Sequence, residues 1–201
     1  MIPSMDLSPE EQAVEKLLDS EGLLHDMDKG HFHGKEDVFV VCCPDGRHFV
    51  RSIVNPFMEM YEKAHKIQFH PIPRHGGTLL LDECSPLILP GHTTDKDLIC
   101  DIKFAVKNGY KAGCLINHFP CSMARDHNVR PLHIIDSLMH AKDRIKKKEG
   151  ISDITVACFL QITDGERRRI SHIRCSDFLS WRARYGDTIH GALEQMASSL
   201  R

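Results

Sequence analysis

DLICDIKFAVKNGYKAGCLINHFPC, residues 97–121, changes its hydrophobic period halfway along. Leu98, Ile102, Ala105 and Val106 recur at helical spacing, and Gly109 stands where a left-handed residue ends such a helix. From Ala112 to Asn117 the apolar residues run on without alternation, the mark of a strand covered on both faces. That strand delivers His118-Phe119-Pro120-Cys121 at its carboxyl end. A helix feeding a doubly buried strand is half of a parallel βαβ unit, so the expected class is α/β.

Working outward, Val38 to Cys43 is a second unbroken apolar run, and it ends in Cys43-Pro44-Asp45-Gly46-Arg47. A helix is expected between His48 and Lys66, then a short strand near Ile67 to His70 and a turn through Arg74-His75-Gly76-Gly77. Residues 78–96 match no single period. Ser8-Pro9-Glu10-Glu11 forms a capping box with proline at the first helical position, and Val14, Leu17 and Leu18 supply the stripe that follows. Downstream, Pro131 opens a helix carrying Leu132, Ile135, Leu138, Met139 and Ile145, stopped by Gly150. Ile154 to Ile162 and Arg169 to Ile173 flank Asp164-Gly165 and read as an antiparallel hairpin on the edge of the sheet. Ser176 begins a terminal helix with Phe178, Leu179 and Trp181. The expected architecture is a three-layer α/β fold: a mostly parallel β-sheet flanked by helices, with an antiparallel edge hairpin. All of residues 1–201 form a single domain in this reading, with an N-terminal helical arm to about residue 35 and a C-terminal helix from about 176.

Charge excludes some partners. With 26 basic against 28 acidic residues, no global field draws the chain to nucleic acid or an anionic membrane. No stretch approaches the ~20 apolar residues of a membrane span. The run Arg144 to Lys148 falls at a helix end, where cations are favourable, and reads as solvated. The acidic N-terminus lacks a basic-then-apolar leader, so the expected location is cytoplasmic and the eight cysteines are expected to be thiols or ligands.

In open parallel sheets, sites form outside the carboxyl ends of strands, and both unusual motifs follow such strands directly. Cys43, His118 and Cys121 together offer two thiolates and an imidazole. Three protein ligands with a fourth position for water is the pattern of a catalytic zinc site, whereas four would mark a structural one. The plainer alternative for these residues is two small buried hydrophobes and a satisfied histidine. For Asp45 and Arg47 it is a surface pair of little energetic weight. Cys42 must point opposite to Cys43 and is assigned to the core, as are Cys100, Cys114 and Cys158. His31, His33, His70 and His75 read as exposed loop residues, with proton transfer or a second metal site as the alternative. The apolar side chains of 78–96, Leu79 to Leu81 and Leu87 to Leu89, either cover a pocket or build an interface.

Cys-x-Asp-x-Arg at 43–47 followed by His-x-x-Cys at 118–121 resembles the β-class carbonic anhydrases, over roughly residues 36–175. The resemblance implies a Zn2+ cofactor held by Cys43, His118 and Cys121. It implies a lyase that reversibly hydrates carbon dioxide to bicarbonate by a zinc-bound hydroxide, with Asp45 and Arg47 catalytic. Arg47 would hold Asp45 in a charge-assisted fork so that the carboxylate accepts the hydroxide's proton in a hydrogen bond. Released, Asp45 would swing onto the metal and close the site, a form favoured by acid. A homodimer or higher homo-oligomer is also implied. Gly46 stands where the family has serine, Ser122 where it has glycine, and Arg74 to Gly77 match its Arg-Asn-Ala-Gly stretch only loosely. Residues 78–96 are an insertion relative to it. These changes touch the substrate pocket and keep two other readings open: a carbonyl sulfide or carbon disulfide hydrolase on the same fold, and a non-catalytic zinc-binding protein closed by Asp45.

Overall fold

The capping box does what its residues dictate. In α1 (Pro9–Ser20), Ser8 Oγ accepts the Glu11 N–H at 3.2 Å while Glu11 Oε2 accepts the Ser8 N–H at 2.7 Å. The helix turns Ala13, Val14 and Leu18 into the core. A computed structural model describes residues 6–26, 37–45, 59, 67–186 and 188–200. After α1 come the two-residue β1 (His25–Asp26), β2 (Val38–Cys42), β3 (Phe69–Pro73), a 3-10 turn (Gly77–Leu80) and α2 (Thr94–Lys107). Then follow β4 (Ala112–Phe119), the short α3 (Ser122–Asp126), α4 (Pro131–Lys146), β5 (Thr155–Asp164), β6 (Arg167–Ile173), α5 (Cys175–Tyr185) and α6 (Thr188–Ser198).

Among the described residues these strands make one six-stranded sheet in the order β1-β6-β5-β4-β2-β3. β3, β2, β4 and β5 are parallel, while β6 runs antiparallel to β5, and β1 to β6. The class is therefore α/β with a mostly parallel sheet and an antiparallel pair, as the apolar runs and the Asp164-Gly165 turn require. β6 is not outermost, because His25 and Asp26 of β1 pair with His172 and Ser171. The chain leaves β2 to form β3 on one side and returns to place β4 on the other. Strand order thus reverses between β2 and β4, and it is at the carboxyl ends of strands beside such a reversal that open parallel sheets form a crevice for their sites.

Gly113 in β4 sits opposite Phe39 of β2, and a Cβ there would stand 2.4 Å from the Phe39 ring. The glycine makes room for the aromatic on the face that carries the larger core. That core joins Phe39, Val41, Leu115, Phe119 and Leu160 to buried residues of α1, α2, α4, α5 and α6. Val38, Val40, Cys42, Cys114, Ile116 and Phe159 form the opposite face, with Ile67. Every described helix with a buried stripe thus lies on one side of the sheet. Of the helix expected between His48 and Lys66, on which the third layer depends, only Glu59 lies among the described residues, and it is helical.

Three local expectations change. The C-terminal segment is two helices, α5 and α6, parted at Gly186 with φ 52°. Cys100 is exposed, because α2 buries Leu98, Ile99, Ile102 and Ala105 and turns residue 100 away. Arg144 is not solvated. Its Nη2 donates to Asp95 at 2.6 Å, its Nε lies 3.2 Å from Glu83, and its Nη1 donates to the Leu81 carbonyl at 3.3 Å. Asp82, 1% exposed, lies 3.2 Å from His133 Nε2 and 3.0 Å from His140 Nδ1. Residues 81–95 are thereby pinned onto α4, and Leu79 to Leu81 and Leu87 belong to the chain's own core.

Candidate metal centre

Cys43 is the first residue beyond β2, and His118 is the last but one of β4. Since those strands are parallel neighbours, their carboxyl ends emerge together and residues far apart in sequence meet. Cys121 then caps α3. The Cys43 sulfur is within hydrogen-bonding contact of the Cys121 and His118 side chains, and the backbone N–H of Gly76 also reaches it. All three side chains are buried, at 7% exposure for Cys43, 4% for His118 and 3% for Cys121.

These contacts set the charge. The Cys121 thiol donating to Cys43 is the largest influence, and burial works against it. The neighbouring His118 ring and the Gly76 N–H act in the same direction as Cys121, and the Cys43 thiol is drawn down to about 4. The same contact, with burial, pushes the Cys121 thiol up. The contact between the two sulfurs thus favours the thiolate at Cys43 and the thiol at Cys121. Cys42, one residue earlier, points into the opposite core, where burial raises its thiol to about 12.

His118 Nδ1 lies 2.8 Å from the Pro120 carbonyl. A carbonyl only accepts, so this bond assigns the proton to Nδ1 and leaves the Nε2 edge for Cys43. A histidine whose far nitrogen is tied to a backbone carbonyl is in the state that ligates metals.

Two supports were not read from the sequence. Gly77 has φ 53°, and a Cβ on it would lie 3.0 Å from the Cys43 nitrogen and 3.3 Å from the Cys42 carbonyl carbon. Gly76, at φ 89°, is likewise left-handed, so the pair lets one backbone close on another and aim an N–H at sulfur. Asn117 adjoins His118. It accepts from Thr78 Oγ1 at 2.6 Å and donates to the Ile134 carbonyl at 2.7 Å and to Ser137 Oγ at 3.0 Å. Thr78 and Ser137 are fully buried, and this network fixes the end of β4 between the 3-10 turn and α4. Its one sequence signal is a polar residue ending an apolar strand.

Asp45 is half-buried two residues past Cys43. Arg47 and Gly46 lie outside the described residues, as do His31 and His33. His70 stacks on Tyr110 with ring centroids 5.1 Å apart, and His75 is exposed in the turn before Gly76. Among the described residues, no group of three or more His, Cys, Asp or Glu side chains is arranged ready to hold a metal ion. The donor set nevertheless fits one chemically: a thiolate, a thiol in contact with it, and an imidazole of the right tautomer converge in one buried crevice.

No protein-family model matches the chain, and no curated protein matches it. Fold and site together define an α/β protein with a Cys-His-Cys constellation at the switch point of its parallel sheet. Among the described residues, no helix is long and apolar enough to cross a membrane.

Proposed function

We propose that this chain is a zinc-dependent carbonic anhydrase of the β-class type, reversibly hydrating carbon dioxide to bicarbonate. The observation that carries the reading is the convergence of Cys43, His118 and Cys121 in the crevice where strand order reverses. Cys43, His118 and Cys121 would hold the ion, with both thiols giving up their protons to serve as ligands. Bound there, zinc supplies a Lewis acid that brings the pKa of a water toward ~7, less strongly beside two thiolates than beside three imidazoles.

The chain's own residues do the rest. The Pro120 carbonyl holds the His118 ring, and the Gly76 N–H tempers the charge on Cys43. Asp45, oriented by Arg47, accepts a hydrogen bond from the nucleophile and directs its lone pair toward carbon. In this reading the protein is a cytoplasmic homodimer.

Stopped-flow measurement of carbon dioxide hydration, comparing zinc-loaded with chelated protein between about pH 7 and 9, tests the proposal. A zinc-dependent rate that climbs with pH is expected. A rate at the chelated baseline throughout overturns it and moves the weight to carbonyl sulfide or carbon disulfide, or to a site closed by Asp45.

A further inference from the structure

A second pair of cysteines lies away from the crevice. Cys158, in the middle of β5, is fully buried, and its sulfur lies 3.6 Å from the Leu138 carbonyl of α4. Its other neighbour is Cys175, with the two sulfurs 3.7 Å apart. Cys175 is the first residue of the eleven-residue α5 and is half-buried. The antiparallel pairing of Cys158 with Ile173 brings the start of α5 back over β5. Cys175 is thus the half-buried, outer member of the pair and Cys158 the fully buried one, the layout of an attacking and a resolving thiol.

We propose that Cys158 and Cys175 form an oxidisable dithiol that reacts with hydroperoxides and closes to a disulfide between β5 and α5. The Cys175 thiolate attacks a peroxide oxygen, forming an S–O bond as the O–O bond breaks. Its sulfur loses two electrons to the peroxide, and the leaving oxygen takes a proton. The Cys158 sulfur then attacks Cys175, forming the S–S bond, while its proton leaves with the hydroxyl as water. Two thiols and one hydroperoxide give one disulfide, one alcohol or water, and one water. The sulfurs must approach from the observed 3.7 Å to an S–S bond of about 2.0 Å.

The electrostatics agree with these roles. Cys175 donates toward the Cys158 sulfur while the Cys158 S–H donates to the Leu138 carbonyl. The contact with Cys158 is the largest influence on Cys175, burial opposes it, and the Lys142 ammonium adds to the pull, bringing the thiol to about 6. Cys158 is pushed up by that contact and by burial and keeps its proton until it is needed. The two shifts run in opposite directions, down for the outer sulfur and up for the inner one. This assignment is independent of whether the crevice holds zinc.

The test uses the full chain with hydrogen peroxide, followed by alkylation of remaining thiols, trypsin digestion and mass spectrometry. Arg167, Arg168, Arg169 and Arg174 separate the two cysteines, so their peptides stay joined only through a disulfide. The joined pair should rise with peroxide and vanish on reduction. Cys158→Ser should strand Cys175 as a sulfenic acid that dimedone captures, and Cys175→Ser should abolish both products. In the wild type, iodoacetamide near pH 7 should label Cys175 at least several-fold faster than the more exposed Cys84 and Cys100, and Lys142→Met should move its labelling profile to higher pH. Labelling no faster than Cys84 and Cys100, or a peroxide-induced link confined to Cys43 and Cys121, overturns the proposal.

Discussion

At Cys43 a strand end, a glycine pair and two partners from β4 and α3 converge on one sulfur. Replacing it with serine removes the softest donor and the charge the other groups are built around. If the proposed centre takes zinc, Cys43→Ser should lower its zinc affinity at least ~100-fold in a colorimetric release assay, while the circular dichroism spectrum stays native. Gly77 offers a comparison within the molecule. Gly77 and Gly150 both have positive φ, at 53° and 83°, but a Cβ on Gly150 meets nothing within 4 Å, whereas one on Gly77 meets the Cys43 backbone. Gly150→Ala should cost only the left-handed penalty of about 1–2 kcal/mol, less any gain from a stiffer unfolded chain. Gly77→Ala should cost clearly more in denaturant melts, and equal costs would mean that the approach to Cys43 is loose. Cys43, His118 and Cys121 stood out in the sequence because each follows an apolar strand. Gly77, Thr78 and Asn117 did not, since what they are needed for lies on elements distant in sequence. Cys175 carried no local signal either, because its partner sits on another strand.

Helix α4 shows what an element adds. It carries His133 and His140 at a spacing that lets both reach Asp82, the buried residue that pins the segment after the 3-10 turn. The hydrogen bond to Asp82 raises His133 above its ordinary 6.5. That stability is fully present below the ordinary value and is lost as pH rises through the raised one. Burial alone would lift the Asp82 carboxyl, but His133, the Cys84 N–H and His140 outweigh it and hold it below 3.8. Its contribution is present above that value and is lost as pH falls through the lower one. Both contributions coexist in mildly acid solution. His133→Gln should lower Tm most there, by a few degrees or ~1 kcal/mol, and progressively less at alkaline pH. A pH-independent difference between the two melting curves would show that packing, not charge, holds the segment. Sequence period revealed α1, α2, α4 and the β5–β6 hairpin because each carries a long pattern with a cap or turn. It was silent over 78–96, where the order comes from Asp82 and Arg144 contacts that no period encodes.

For the molecule as a whole, parallel strands and their class were legible from the apolar runs, but their order was not, since strand order depends on the path of the crossovers. β4 lies between β2 and β5 with all of its residues buried. Hydrogen exchange followed by mass spectrometry should find its amides the slowest, and those of β1 and of the exposed residues 89–93 among the fastest. Fast exchange in β4 would contradict the central place given to it. That place has a consequence for synthesis. β2 and β3 leave the ribosome before β4, so for a few seconds at ordinary elongation rates the Val38–Cys42 edge waits for its neighbour. Every side chain on that edge is apolar, and its unpaired amides are a template for any passing strand. The interval in which the newborn chain is most prone to join another copy of itself is set by the position of one strand.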